Sequence, residues 1–176
     1  GLSTPFRVVL VARSPDPDLD LDALAGKSAR FTLSPGLANF AVSRSWSGVC
    51  ADAAQVRVET SGLSTYELTL VPRLWLLGHR RNHRLFQHLS IPDIVDRLLA
   101  PWNIQPDWHI ARDRHPVVPL RVQHGETDLS FFCRLLEEAG ITFRFADDLV
   151  GDSRLELHDA PQAAAPRALG PLPFVD

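Results

Sequence analysis

The side chains able to do chemistry are scattered along this sequence. Seven histidines are present, at His79, His83, His88, His109, His115, His124 and His158. His79 and His83 stand four residues apart, which would turn both imidazoles toward one metal if the segment were helical. No carboxylate lies between them, however, and the intervening Arg80 and Arg81 would repel a cation. They read as surface histidines in a basic stretch, and no metal is predicted. Paired carboxylates occur at Glu137-Glu138 and Asp147-Asp148. General acid–base work needs such a group raised into the neutral range in a cleft, and nothing in the spacing indicates one. Acids at a helix end oppose its dipole, so an arginine partner such as Arg134 is expected for Glu137 or Glu138.

The sequence contains no GxGxxG, no GxxxxGK[ST] and no GxSxG. Dinucleotide, P-loop and serine-hydrolase chemistry are therefore disfavoured. Cys50 and Cys133 are far apart, form no CxxC, and read as two reduced thiols. No catalytic residue and no cofactor is predicted.

The most unusual stretch is Pro72 to Phe86 (PRLWLLGHRRNHRLF), with Arg73, Arg80, Arg81 and Arg84 beside Trp75 and Phe86. Basic residues interleaved with aromatics could grip single-stranded nucleic acid. Alternatively, Leu74, Trp75 and Leu76 pack into a core while the arginines meet acidic neighbours or a partner chain. The formal net charge of −3 and a pI near 6.2 favour the second reading. Of the 18 Lys and Arg residues only Lys27 is lysine, which suits fixed, planar contacts with carboxylates.

These residues must be positioned by a chain of 176 residues, 45% hydrophobic, which allows one compact domain or two small ones. No apolar run reaches the ~18–20 residues that span a bilayer, and no signal peptide is recognisable. The lack of Met and the start at Gly1 lead us to expect an excerpt of a longer protein, a processed product or a tag-cleaved form.

The first half reads as strands. Pro5 to Ala12 places Phe6, Val8 and Leu10 on one face. Ser14 to Asp22 is a Pro- and Asp-rich loop. Ala29 to Leu33 and Val42 to Trp46 are short strand candidates, the former ending at Pro35-Gly36. Gln55 to Thr60 alternates, predicting Val56 and Val58 inside and Arg57 and Glu59 outside. After a turn at Ser61-Gly62, Thr65 to Val71 alternates again, with Tyr66, Leu68 and Leu70 together. The second half changes period. Ser90 and Asp93 form a capping-box pattern ahead of the stripe Ile91, Ile94, Val95, Leu98 and Leu99, and Pro101 ends that helix. A second helix is expected from about Asp128 to Ala139, capped by Thr127 or Asp128, with Leu129, Phe132, Cys133 and Leu136 on its apolar side. Gly140 is its natural left-handed terminator. Ile141, Phe143 and Phe145 then alternate as a strand, and Arg154 to His158 is another. The Ala- and Pro-rich stretch from Pro161 to Pro173 reads as a linker. The fold class is α+β and β-rich.

Two long ordered motifs carry a family resemblance. Tyr66 to Leu99 (YELTLVPRLWLLGHRRNHRLFQHLSIPDIVDRLL) and Val122 to Phe145 (VQHGETDLSFFCRLLEEAGITFRF) resemble the N-terminal hub region of VgrG, the spike protein of the type VI secretion system. The second matches that family's Q-x-x-E-x-D and RLLEE-x-GI pattern, Leu155 to Asp159 (LELHD) resembles the strand after it, and Leu24 to Leu33 fits a weaker, earlier motif. The resemblance covers most of residues 5–160. It implies a barrel-like antiparallel sheet of the phage tail hub type, with two short helices in the second half. It also implies a division into 1–78, a first β-barrel-like hub domain whose initial strand is missing before Pro5; 79–150, a helix-containing α/β subdomain; and 151–176, the start of a following β segment or a linker. His79 to Arg84 is richer in His than the family pattern. The family continues into an oligonucleotide-binding-fold neck and a β-helical needle, which this chain does not include.

The function implied is a scaffold and not an enzyme. The partners implied are two sister chains in a homotrimer, a hexameric inner-tube protein, and spike-tip and effector proteins, with no small-molecule substrate and no nucleic acid. Assembly in the cytoplasm, then secretion or injection with the spike, follows from the same resemblance. A phage or prophage tail hub is the close variant. The family-motif or candidate interface residues are Pro72, Arg73, Trp75, Arg80, Arg81, Arg84, Phe86, Gln87, Asp128, Arg134, Glu137, Glu138 and Gly140.

Overall fold

A computed structural model describes residues 2–34, 43–58, 62–146 and 153–163. Four strands come first: β1 (Val8–Ser14), β2 (Ser28–Leu33), β3 (Arg44–Val58) and β4 (Ser64–Val71). They form one antiparallel sheet in the order β1-β4-β3-β2, curled into half a barrel. Tyr66 and Leu70 are buried as the alternation predicted, with Leu68 half-buried.

Two expectations for this sheet are corrected. Val42 to Trp46 and Gln55 to Thr60 are not separate strands, because β3 runs unbroken through 15 residues. Irregularities between Cys50 and Asp52 and between Gln55 and Arg57 let it bend instead of stopping. Val56 and Val58 are not inside either; they are 54% and 69% exposed. Alternation fixes which residues share a face, but whether that face is covered depends on what packs on it. Pro35-Gly36, Val42, Glu59, Ser61, Asp147-Asp148 and the tail after Ala163 lie outside the described residues.

After β4, Arg73–His79 winds as a 3-10 helix with Pro72 at its N-cap. It buries Leu74, as expected, and Leu77, which was not expected, while Trp75 and Leu76 of the predicted core set are only half-buried. There follow β5 (Arg81–Leu89), α1 (Ile91–Leu99), β6 (Asp107–His109), β7 (Val118–Thr127), α2 (Asp128–Glu138), β8 (Thr142–Ala146) and β9 (Arg154–His158). β5 and β7 make a two-stranded antiparallel ribbon, and β6-β9-β8 a three-stranded mixed sheet.

Both helices start where local chemistry requires. The Ser90 hydroxyl accepts from the Asp93 amide, and the Asp93 carboxylate accepts from the Ser90 amide. The Thr127 hydroxyl accepts from the Ser130 amide at 3.0 Å. α2 ends in a Schellman arrangement: the Ile141 amide donates to the Leu136 carbonyl and Gly140 to Glu137, with Gly140 at φ +66°. Its buried side is Phe131, Phe132, Leu135 and Leu136, while Leu129 and Cys133 are half-buried, so the true face is turned from the predicted stripe. The main core joins these residues to Ile94, Val95, Leu98 and Leu99 of α1, to Phe143, Leu155 and Leu157 of the mixed sheet, and to Leu74 and Leu77.

Candidate functional site

The two sequence motifs meet at one side chain. Asp128, the first residue of α2, is fully buried. Its Oδ2 accepts from Arg80 Nε at 2.6 Å, and its Oδ1 from Asn82 Nδ2 at 2.9 Å, from Gln123 Nε2 at 2.8 Å and from Arg84 Nη2. The backbone closes the same link, because the Asp128 amide donates to the Arg80 carbonyl at 2.9 Å. Alternation along β5 turns Asn82 and Arg84 to the inner side of the ribbon, and β7 presents Gln123 opposite Arg84. Gly125, at φ +65°, supplies the extra residue of a bulge between these strands. Burial alone would raise the Asp128 carboxyl, but hydrogen bonds from Gln123, Asn82 and Arg80 and the charge of Arg84 outweigh it, and the group lies below the usual carboxylate range. Such a group is fixed as an acceptor and cannot shuttle protons near neutrality.

The aromatic and remaining charged residues buttress this clasp. Arg80 lies over the Trp102 ring at 4.9 Å and Arg84 over Phe86 at 5.7 Å. Buried Phe86 stacks on Phe131 at 5.7 Å. Arg134 bonds Glu126 at 2.5 Å, Glu138 at 3.0 Å and the Val122 carbonyl at 3.0 Å, pinning α2 to β7. The predicted Arg134 partner is thus Glu138, which also pairs with Arg121 at 3.4 Å, while Glu137 is exposed.

Elsewhere, buried Pro72 offers its carbonyl to Trp75, and Arg73 reaches Ser28 Oγ at 3.0 Å. Trp75 packs edge-on against His79 at 4.3 Å. Of the interface candidates Arg80, Arg81 and Arg84, only Arg81 is exposed; it bonds the Gly125 carbonyl, whereas Arg80 and Arg84 are half-buried against Asp128. Gln87 is exposed on β5 opposite Leu120. His79 and His83 face different neighbours, since His83 meets His124. Gln123 was not among the candidate residues, although its place in the Q-x-x-E-x-D pattern marks it: its spacing of five from Asp128 folds it back onto the helix start.

Comparison with known proteins fits this architecture. The family model described as phage tail baseplate hub (GPD) matches residues 1–176. The type VI secretion system spike protein VgrG5 of Pseudomonas aeruginosa is 34% identical over 180 residues, covering 99% of this chain and 21% of that protein. The E. coli c3393 protein, described as a type VI secretion component with structural similarity to T4 bacteriophage tail proteins gp27 and gp5, superposes with a TM-score of 0.78 at 28% identity, over 90% of this chain and 43% of that one. A prophage 43 kDa tail protein from Shewanella oneidensis shares the fold alone, with a TM-score of 0.54 at 13% identity over 88% and 45% of the two chains. The chain therefore spans about a fifth of the VgrG relative it matches, and it belongs to the phage tail baseplate hub family.

Proposed function

We propose that this chain is a structural hub module of a type VI secretion spike base, which trimerises with sister chains, docks onto a hexameric inner tube and helps deliver effectors, without catalysis of its own. The observation that carries the reading is the uncovered sheet. Both outer strands, β1 and β2, lack a second pairing partner among the described residues, and Val9 and Val11 on β1 are 46% and 67% exposed. Open edges beside exposed apolar side chains suit pairing between subunits. The identities to VgrG5 and c3393 favour a secretion spike over the more distant prophage tail protein. Two of the four arginines of the 72–86 segment are engaged by Asp128, which weakens the nucleic-acid reading. The division at 1–78, 79–150 and 151–176, assembly in the cytoplasm, and export with the spike belong to the same proposal.

The test is light scattering on the full-length protein carrying Val9→Glu and Val11→Glu, with Arg81→Glu made separately. Arg80 and Arg84 are kept, because replacing them breaks the fold rather than the interface. Loss of the trimer in the valine variant, with unchanged circular dichroism, supports the reading. A full-length protein that is monomeric, or a trimer indifferent to all three substitutions, overturns it.

A further inference from the structure

The side of the three-stranded sheet turned away from the core holds a group of ligating side chains, from exposed His109 to buried Glu156, with no part in the Asp128 clasp. β6 and β9 are parallel neighbours, and their register sets His109 directly beside His158. Glu156, two residues before His158, lies on the same face of β9. One ligand atom from each of the three lies within 4.8 Å of the other two. We propose that His109, Glu156 and His158 form a binding site for a divalent transition metal, with zinc as the probe that tests it.

Distances favour the assignment. A tetrahedral zinc site with bonds near 2.0–2.1 Å places neighbouring ligand atoms about 3.3 Å apart. His158 Nε2 and Glu156 Oε2 are already 3.4 Å apart. Only His109 has to close in, and it is the exposed member of the three. Its ring now stacks on His158 with centroids 4.6 Å apart and planes 10° from parallel. A turn of the free imidazole brings its lone pair toward the shared point.

The scaffold beneath is fixed. On the opposite face, Leu155 and Leu157 are buried in the core, and Trp108 donates from Nε1 to Asp96 at 2.9 Å. Thr142 Oγ1 donates to the His158 carbonyl at 3.2 Å. Arg144 Nε donates to Glu156 Oε2 at 2.6 Å. A ligating carboxylate is commonly oriented by such an outer bond, and its two oxygens have lone pairs for both roles. The guanidinium charge lowers the affinity below that of an isolated triad. Two imidazoles and one carboxylate select zinc, cobalt, nickel or copper over magnesium or calcium. A bound ion would clip β6, which meets β9 over three residue pairs, to the rest of the sheet, with water at the remaining position.

Titration calorimetry of the whole chain with zinc sulfate provides the test, paired with the thermal midpoint. One equivalent should bind saturably and raise the midpoint by mass action. His109→Ala should weaken binding at least about tenfold and leave the metal-free midpoint in place, because His109 is exposed. His83→Ala, in the separate His83–His124 pair, should change neither. Absence of saturable binding, or binding that responds to His83→Ala and not to His109→Ala, overturns the site.

Discussion

The Arg84 guanidinium and the Asp128 carboxylate, 44 residues apart in sequence, meet as an ion pair in which the carboxylate has no exposed surface. A buried carboxylate costs several kcal/mol in desolvation and persists only when its lone pairs are filled. Here four side chains fill them, three from β5 and the residue preceding it and one from β7. The clasp thereby fixes the position of α2 on the ribbon.

Asp128→Ala removes the common acceptor of Arg80, Asn82, Arg84 and Gln123. The expected loss is about 3–5 kcal/mol, the range for breaking one side of a buried pair. Urea denaturation of the variant and the parent measures it. A loss under about 1 kcal/mol, the scale of an exposed pair, would show that the clasp contributes little.

The Asp128 carboxyl is depressed in the folded state, so its contribution to stability is fully present above the unfolded carboxyl value of about 3.9. It disappears as pH falls from there toward the folded value, where the native carboxylate also takes up a proton. Thermal midpoints between neutral pH and pH 3 should fall on the acid side. Asp128→Asn, less stable at neutral pH, should show a shallower fall over the same window.

Ser90→Ala removes the hydroxyl that accepts from Asp93 at 3.3 Å. The expected cost is about 1 kcal/mol, and Ser90→Gly should cost only a few tenths. Equilibrium unfolding measures both; an Ala variant as stable as the parent would show that the Ser90 cap contributes nothing.

Gly48 sits where β3 passes the end of β4. A Cβ there would run into the Val71 carbonyl and come within 2.8 Å of its carbon and 3.1 Å of Pro72 Cα. These are backbone atoms and cannot swing aside. Gly48→Ala should destabilise by about 1–3 kcal/mol, the scale of forced overpacking, and chemical denaturation reads it directly.

Where sequence determines structure locally, the elements were legible. The Ser90/Asp93 pair marked the start of α1, and Gly140 marked the end of α2. The alternation of Ile141 and Phe143 predicted β8 and its inward face. The failures share another cause. Val56 and Val58 carry strand alternation, but no layer among the described residues covers them. β3 did not stop where turn residues were weak, because a bulge absorbs an irregular residue without ending pairing. At the site, the motifs singled out Arg80, Arg84 and Asp128 but not their mutual contact, which depends on how β5 and β7 align. The His109–Glu156–His158 group was invisible for the same reason: its outer members, His109 and His158, stand 49 positions apart, and only the parallel register unites them.

The bare rim of the four-stranded sheet also governs how the polypeptide behaves alone. Among the described residues the outer amides and carbonyls of β1 and β2 have no neighbouring strand, and beside protruding valines they are a template on which any extended segment can zip. With that rim uncovered, the chain is therefore prone to promiscuous stacking and precipitation at high concentration.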